Sequence, residues 1–426
     1  MLERLVGSWY INTKISYMNK KGSVAKLLRS FFVFTLWIVI IAFKSNAEDR
    51  NNLGNGLGIW VEVEGKVRTL DSREDVDRLI NFLSKHNFNE IYLQVYRGGK
   101  SWFPSSHADP SPYLSAMNKG VDPIREVLNF CLSKNIKVHG WLNILRVENR
   151  SSLLIQELGE DVVLHDKPDR NLLVYNDGRS PEGRILDTPG FWLDPSNSKL
   201  RERVNLVIQD LLSAYPELEG IHLDIIRNPF FYGYYRNRKG KIKLGGDQLE
   251  LLTSKNNLME FFKSNSLEEH IKLTADVVDW NNWRRSQVSG VVEEISSLIK
   301  SQYPDKKLSA AVIADYFTAK DYAFQEWGKW MLEGRLDYVV LMNYTTSDTR
   351  LVNNLANAKL FSAKSKALVK NGIGAWLFKS KRPEDLIDQI NRSYDNVEDG
   401  VVLFSYANLV DTKLSEKFRR SELKQD

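Results

Sequence analysis

One cysteine, Cys131, stands in 426 residues, so no intrachain disulfide can form and core burial must carry the fold. It falls on the apolar side of a predicted helix, where a small buried hydrophobe is expected rather than a nucleophile. Histidine is equally scarce. The six present (His86, His107, His139, His165, His222, His270) show no paired ligand spacing, which argues against a zinc centre. No glycine-rich loop lies between strand and helix in the phosphate-cradling pattern, and no G-x-S-x-G elbow occurs. Neither a metal nor a nucleotide cofactor is therefore expected.

Positive charge is scarcer than the total of +5 suggests. Residues 1–47 hold seven Lys or Arg against the single Glu3, a surplus of six, so the remainder sits near −1. That balance offers no nucleic-acid surface. The only long apolar run, Phe31 to Phe43, is short for a membrane span. It follows Lys20, Lys21, Lys26 and Arg29 and precedes Ser45-Asn46-Ala47, the order of a secretory signal peptide cleaved after Ala47. A periplasmic or secreted protein is expected, with membrane anchoring the alternative if the leader stays uncleaved. Residues 1–17 lie upstream of the basic region, and Met18 offers an alternative start. The run is not followed by a cysteine, the residue that lipid attachment would need.

With 42% hydrophobic and 11% aromatic residues the chain can bury a large core. Residues 48–57 form a polar linker, and one domain is expected over 58–426. There, short apolar runs alternate with helical stripes. The runs are Gly58–Val63, Ile91–Tyr96, Val138–Asn143, Ile221–Asp224, Leu308–Asp315, Tyr338–Tyr344, Lys370–Leu377 and Val401–Tyr406. Asp71 with Glu74 predicts a capping box before the stripe Val76, Leu79, Ile80, Leu83, and Asp122-Pro123 predicts the next helix start. Trp283-Arg284-Arg285 is expected to open the helix that ends near Ile299. Eight alternating units with strands apolar on both faces predict an α/β fold, a (β/α)8 barrel with long loops after strands three and four.

In such barrels the C-terminal strand ends form the site. Here they carry Glu62, Arg97, Asn143 with Arg146, His222 with Asp224, Asp315, Asn343 with Tyr344, Trp376, and Ser405 with Tyr406. Aromatic faces among hydrogen-bonding groups and a few carboxylates suit a sugar ring. Two carboxylates flanking a glycosidic bond could divide acid from nucleophile or base work. Asp224 is the first candidate and Asp315 the second, with Glu62 and Glu148 in reserve. Arg97, Asn143, Arg146, His222, Trp283, Arg284, Asn343, Tyr344, Trp376 and Tyr406 are expected around the substrate. His222 shares the lumen side of its strand with Asp224.

The blocks Val95-Tyr96-Arg97-Gly98-Gly99-Lys100-Ser101-Trp102-Phe103-Pro104-Ser105, His139-Gly140-Trp141-Leu142-Asn143, Trp192-Leu193-Asp194-Pro195, Gly220-Ile221-His222-Leu223-Asp224 and Trp283-Arg284-Arg285 resemble those of the bacterial glycosyl-hydrolase-like family 10. The resemblance implies a TIM-barrel envelope protein related to glycosidases that act on peptidoglycan strands stripped of peptides. The chain departs from that pattern in two places. Ile225 and Ile226 stand where a second Asp and an aromatic usually follow the strand-four Asp, and Ala-Val-Ile-Ala before Asp315 replaces Ser-Pro-Phe-Gly. Three readings stay open: an endo-acting envelope glycoside hydrolase, a carbohydrate-binding barrel without activity, and a hydrolase of a non-murein exopolysaccharide.

Overall fold

A computed structural model describes residues 56–86, 88–167, 170–171, 185–186, 188–229, 231–232, 275–397, 399–410, 412 and 414. The predicted leader lies outside the described residues. Eight parallel strands close on themselves: β1 (Leu57–Val61), β2 (Glu90–Arg97), β3 (Lys137–Asn143), β4 (Gly220–Asp224), β5 (Lys307–Ile313), β6 (Tyr338–Met342), β7 (Leu368–Gly374) and β8 (Val401–Phe404). Each pairs with its neighbours in chain order, and β1 pairs with both β2 and β8. The expected barrel is the observed one. All eight strands are almost wholly buried because helices cover them outside and side chains fill them inside.

The principal covering helices are α1 (Arg73–His86), α2 (Pro123–Ser133), α3 (Ser198–Ala214), α4 (Ala275–Gln302), α5 (Trp327–Leu332), α6 (Asp348–Ser362) and α7 (Pro383–Asn396). The α2 stripe of Ile124, Val127, Leu128 and Cys131 is fully buried, and burial pushes the Cys131 thiol up to about 12. Asp122 caps that helix by accepting from the Arg125 amide at 3.0 Å. At α1 the cap falls one residue later than expected: Ser72 Oγ accepts from the Asp75 amide and donates to its carboxylate. Trp283-Arg284-Arg285 opens nothing. The segment lies inside α4, which already runs from Ala275, since the eight residues before Trp283 contain neither Gly nor Pro to stop a helix. At the start of β4 only glycine fits, since a Cβ on Gly220 would lie 2.0 Å from the Lys307 carbonyl oxygen.

The lumen is polar at its base. Lys370 Nζ donates to both Glu90 oxygens at 2.6 and 2.7 Å and sits 4.4 Å from the centre of the Tyr338 ring. His139 and the Tyr92 and Tyr338 hydroxyls close around them. Burial alone would raise the Glu90 carboxyl, but the Lys370 ammonium and the His139 ring outweigh it and hold it well below the usual range. Above this group His222 accepts from Trp60 Nε1 at 3.0 Å and meets Ser309 Oγ at 2.9 Å. Ser309 Oγ also reaches the Ile221 carbonyl. Neutral His222 protonated at Nδ1 satisfies all three contacts, and burial keeps that ring far below its ordinary pKa.

Removing one member of a buried pair leaves an uncompensated charge, at a cost of about 3–5 kcal/mol. Glu90→Gln or Lys370→Met alone should lower the unfolding free energy by that order, and the double replacement should recover most of it. Urea denaturation of the four proteins measures the coupling, and additive losses would refute it. Because folding depresses the Glu90 carboxyl, its contribution is present above the ordinary value of 4.5 and is lost as pH falls below it toward the folded value.

Candidate active site

Asp224 is the last residue of β4, and both its oxygens are held. Oδ2 accepts from Trp141 Nε1 at 3.1 Å, and Oδ1 accepts from the Ile225 amide at 2.7 Å. The second bond requires an unusual turn: Ile225 has φ of 52°, a region that costs a β-branched residue on the order of 1–3 kcal/mol. The strain aims the amide at the carboxylate. Burial raises the Asp224 carboxyl, while the Ile225 amide, Arg227, Trp141 and Arg146 work against the rise. Ile226, the second residue after Asp224, is fully buried.

A second carboxyl follows β1. Glu62 Oε2 is buried with no hydrogen-bond partner among the described residues. Burial raises this carboxyl too, opposed by the Ser405 hydroxyl and backbone amides including that of Ala407. Tyr344, just beyond β6, feels both acids. Burial pushes its hydroxyl well above 10, and the charges of Asp224 and Glu62 push it further. Around them lies an aromatic floor centred on Phe404, whose ring meets Trp60 at 5.7 Å, Trp141 at 6.2 Å, Tyr344 at 5.7 Å and Trp376 at 5.6 Å. Trp376 packs edge-on against Tyr344 at 4.7 Å and is 36% exposed. That open ring can take the CH face of a sugar.

At the rim Arg97 Nε and Arg146 Nη2 donate to the same Glu148 oxygen at 2.7 and 2.9 Å. Burial would raise the Glu148 carboxyl, yet the two guanidiniums hold it below its ordinary value. Arg146-Val147 pairs antiparallel with Phe191-Trp192. Gly190 lets this ribbon close: its φ is 123°, and a Cβ there would lie 2.9 Å from both Arg146 Nε and the Val147 oxygen. Asn143, mostly buried, accepts from Gln94 Nε2 at 3.3 Å.

Several candidates are held by the scaffold, two of them, Asp315 and Asn343, in the lining of a cleft beside Tyr344. Asp315 accepts from the Thr318 amide at 2.7 Å as the cap of a short helix, Tyr316–Asp321, so an acid after a strand here starts the next helix. His222 lies two residues below Asp224 and is fully buried with both ring nitrogens engaged, which makes it lumen filling. Tyr406 is buried against Phe82 of α1 at 5.1 Å, outside the barrel. Asn343 ties α6 to the strand end through Asn354 and the Leu351 carbonyl. Arg284 lies buried over the Phe324 ring at 4.1 Å and bonds Asn281, and burial lowers its guanidinium to about 9 with Arg285 adding to the effect. Trp283 is half-buried beside it on α4. Phe404 and the hydrogen bond of Trp141 escaped the sequence reading. The alternation of inward residues along β8 and β3 carries the signal for both.

Residues 57–381 match the family model described as Glycosyl hydrolase-like 10. The glycosyl hydrolase YngK of Bacillus subtilis (strain 168) is 21% identical over 351 residues, covering 76% of this chain and 59% of that protein. The glycosyl hydrolase DigH of Escherichia coli (strain K12) is 22% identical over 287 residues, covering 63% and 57%. The chain thus spans less than two thirds of the length of these curated relatives. Among solved structures, the glycoside hydrolase domain of PgaB (BpsB) from Bordetella bronchiseptica superposes with a TM-score of 0.61 at 12% identity, over 87% of this chain and all of that one. Alpha-L-fucosidase isoenzyme 2 from Paenibacillus thiaminolyticus gives 0.56 at 13% identity, over 85% and 48%. At such identities these likenesses show a shared fold.

A carboxyl whose pKa rises on folding favours the native state only while protonated, so an ionised Glu62 costs stability at neutral pH. Glu62→Gln should therefore raise Tm near pH 7. The gain should shrink as pH falls through the raised value and vanish below the ordinary 4.5. Thermal unfolding across pH checks this, and a pH-independent change would trace to packing instead.

Proposed function

The chain belongs to the glycosyl hydrolase-like 10 family, and from that membership we propose an exported glycoside hydrolase acting on a cell-envelope polysaccharide, with peptidoglycan glycan strands as the first candidate. The observation that carries the reading is a pair of half-buried carboxyls at strand ends, Asp224 held by Trp141 on the Phe404 floor and Glu62 with one oxygen buried and unbonded, both raised by burial. Asp224, held by two N–H donors, suits the ionised role of nucleophile or base. Glu62, with one buried oxygen unbonded, suits the protonated acid that gives its proton to the leaving oxygen. This replaces Asp315 by Glu62 as the second carboxyl. Trp376 offers the stacking face, and Arg97 with Arg146 fixes the rim. The names of the curated relatives, glycosyl hydrolases both, agree with the reaction class.

The test incubates the protein with purified peptidoglycan, amidase-stripped glycan and a panel of exopolysaccharides, and measures soluble reducing ends. Asp224→Asn should abolish turnover while glycan binding persists. Glu62→Gln should lose about 10²–10⁴-fold on natural glycans, and much less on an aryl glycoside whose leaving group needs no proton. Binding without any reducing ends would favour the inactive carbohydrate-binding barrel, and release only from an exopolysaccharide would move the substrate away from murein. Near wild-type turnover by Asp224→Asn would refute the assignment.

Export belongs to the same reading, supported by the order of Lys20 to Ala47. N-terminal sequencing of protein from cell fractions should begin near Glu48 in the extracytoplasmic fraction. An intact leader on soluble cytoplasmic protein would overturn it.

A further inference from the structure

A cleft of about 660 Å³ opens beside Tyr344, floored by Ile313 and Met342 at the ends of β5 and β6 and walled by α6. Its size falls within the roughly 300–1,000 Å³ of ligand sites. Helix α6 presents two stripes. Leu351, Leu355 and Ala358 are buried in the core, whereas Arg350, Asn353, Asn354 and Asn357, at i, i+3, i+4 and i+7, line the cleft. Asn354 is spent on Asn343 at 2.9 Å. Asn353 is exposed and Asn357 half-buried, so their amides can meet a ligand.

A polar stripe on a helix is ordinarily a solvated surface. Here it walls a concavity lined by Tyr344, whose ring meets Phe404 at 5.7 Å, and Phe404 packs on the Trp141 that holds Asp224, so a chain lying across Asp224 has a path into it. The lining also restricts what that chain can be. Its charged members are Asp315, committed to capping a helix, and Arg350, and the other side chains are amides, hydroxyls or apolar groups. A phosphate or a run of uronates would call for several cations. Amides, each with two donors and a carbonyl acceptor, suit hydroxyl and acetamido groups.

We propose that this cleft binds the hydroxyl- and acetamido-bearing sugar units that flank the cleaved bond, with Arg350 the one lining cation for a lactyl carboxylate on alternate units, so that the protein grips the interior of a glycan. The inference rests on the glycoside hydrolase reading for its reaction but not for its ligand. The test compares the wild type with Asn353→Ala/Asn357→Ala, whose exposed and half-buried positions, outside the core stripe of α6, should leave Tm nearly unaltered. On N-acetylglucosamine oligomers or the glycan identified as substrate, the variant's kcat/KM should fall about tenfold more for a pentamer than for a dimer, the scale of one or two hydrogen bonds. An equal loss at both lengths, or none, overturns the proposal.

If the wild type cleaves no glycan, the catalytic reading fails while calorimetry still judges the cleft. The N-acetylglucosamine pentamer should bind the wild type and bind the variant about tenfold more weakly. Failure of the pentamer to bind, equal binding by the two proteins, or a preference for an oligogalacturonate of the same length would refute it.

Discussion

The ion pair between Glu90 and Lys370 is the constraint on which the barrel depends. It joins β2 to β7 across the lumen, at positions 280 residues apart in the chain. Neither charge could remain in that interior without the other, and the Tyr92, His139 and Tyr338 side chains supply the remaining polar contacts. The arrangement fills the base of the lumen with groups that tolerate one geometry. Strand register is thereby held from within, as the outer helices hold it from without.

That rigidity passes upward in layers. Trp60 rests on His222 and also meets Phe404, so the lumen filling is continuous with the aromatic floor of the site. Trp141, on the same floor, both packs against Phe404 and donates to Asp224. The carboxylate is consequently positioned by a side chain whose own placement comes from the core, and by a strained backbone amide at Ile225 that the core must hold in place. Burial of the two acids costs stability and gives them raised proton affinities, a trade commonly found where chemistry is done.

The eight strands were legible because residues apolar on both faces have few alternatives to a parallel interior strand. Asp224 was legible for the related reason that a carboxylate terminating such a run must face the open end. Depth was not. Alternation places His222 on the lumen side with Asp224 but does not say that one lies a layer below the other, with Trp60 and Ser309 taking both its nitrogens. Asp315 shows a second limit, since an acid between a strand and a helix reads equally as a pocket group or a cap. Tyr406 shows a third: past a strand end the inward and outward alternation lapses, and this ring turned out toward Phe82. The value of Glu62 depended on an unbonded oxygen that only three-dimensional packing reveals.

The buried ion pair also bears on how such a protein can change over generations. A substitution at Glu90 or Lys370 alone passes through a chain that has forfeited about 3–5 kcal/mol out of a total of about 5–15, so the two positions can drift only together. Trp376, Asn353 and Asn357 are exposed or half-exposed and lie far from that lock in the order of packing. They can be exchanged one at a time with the barrel intact. A lineage built this way keeps its scaffold nearly fixed while its choice of polymer wanders by single steps.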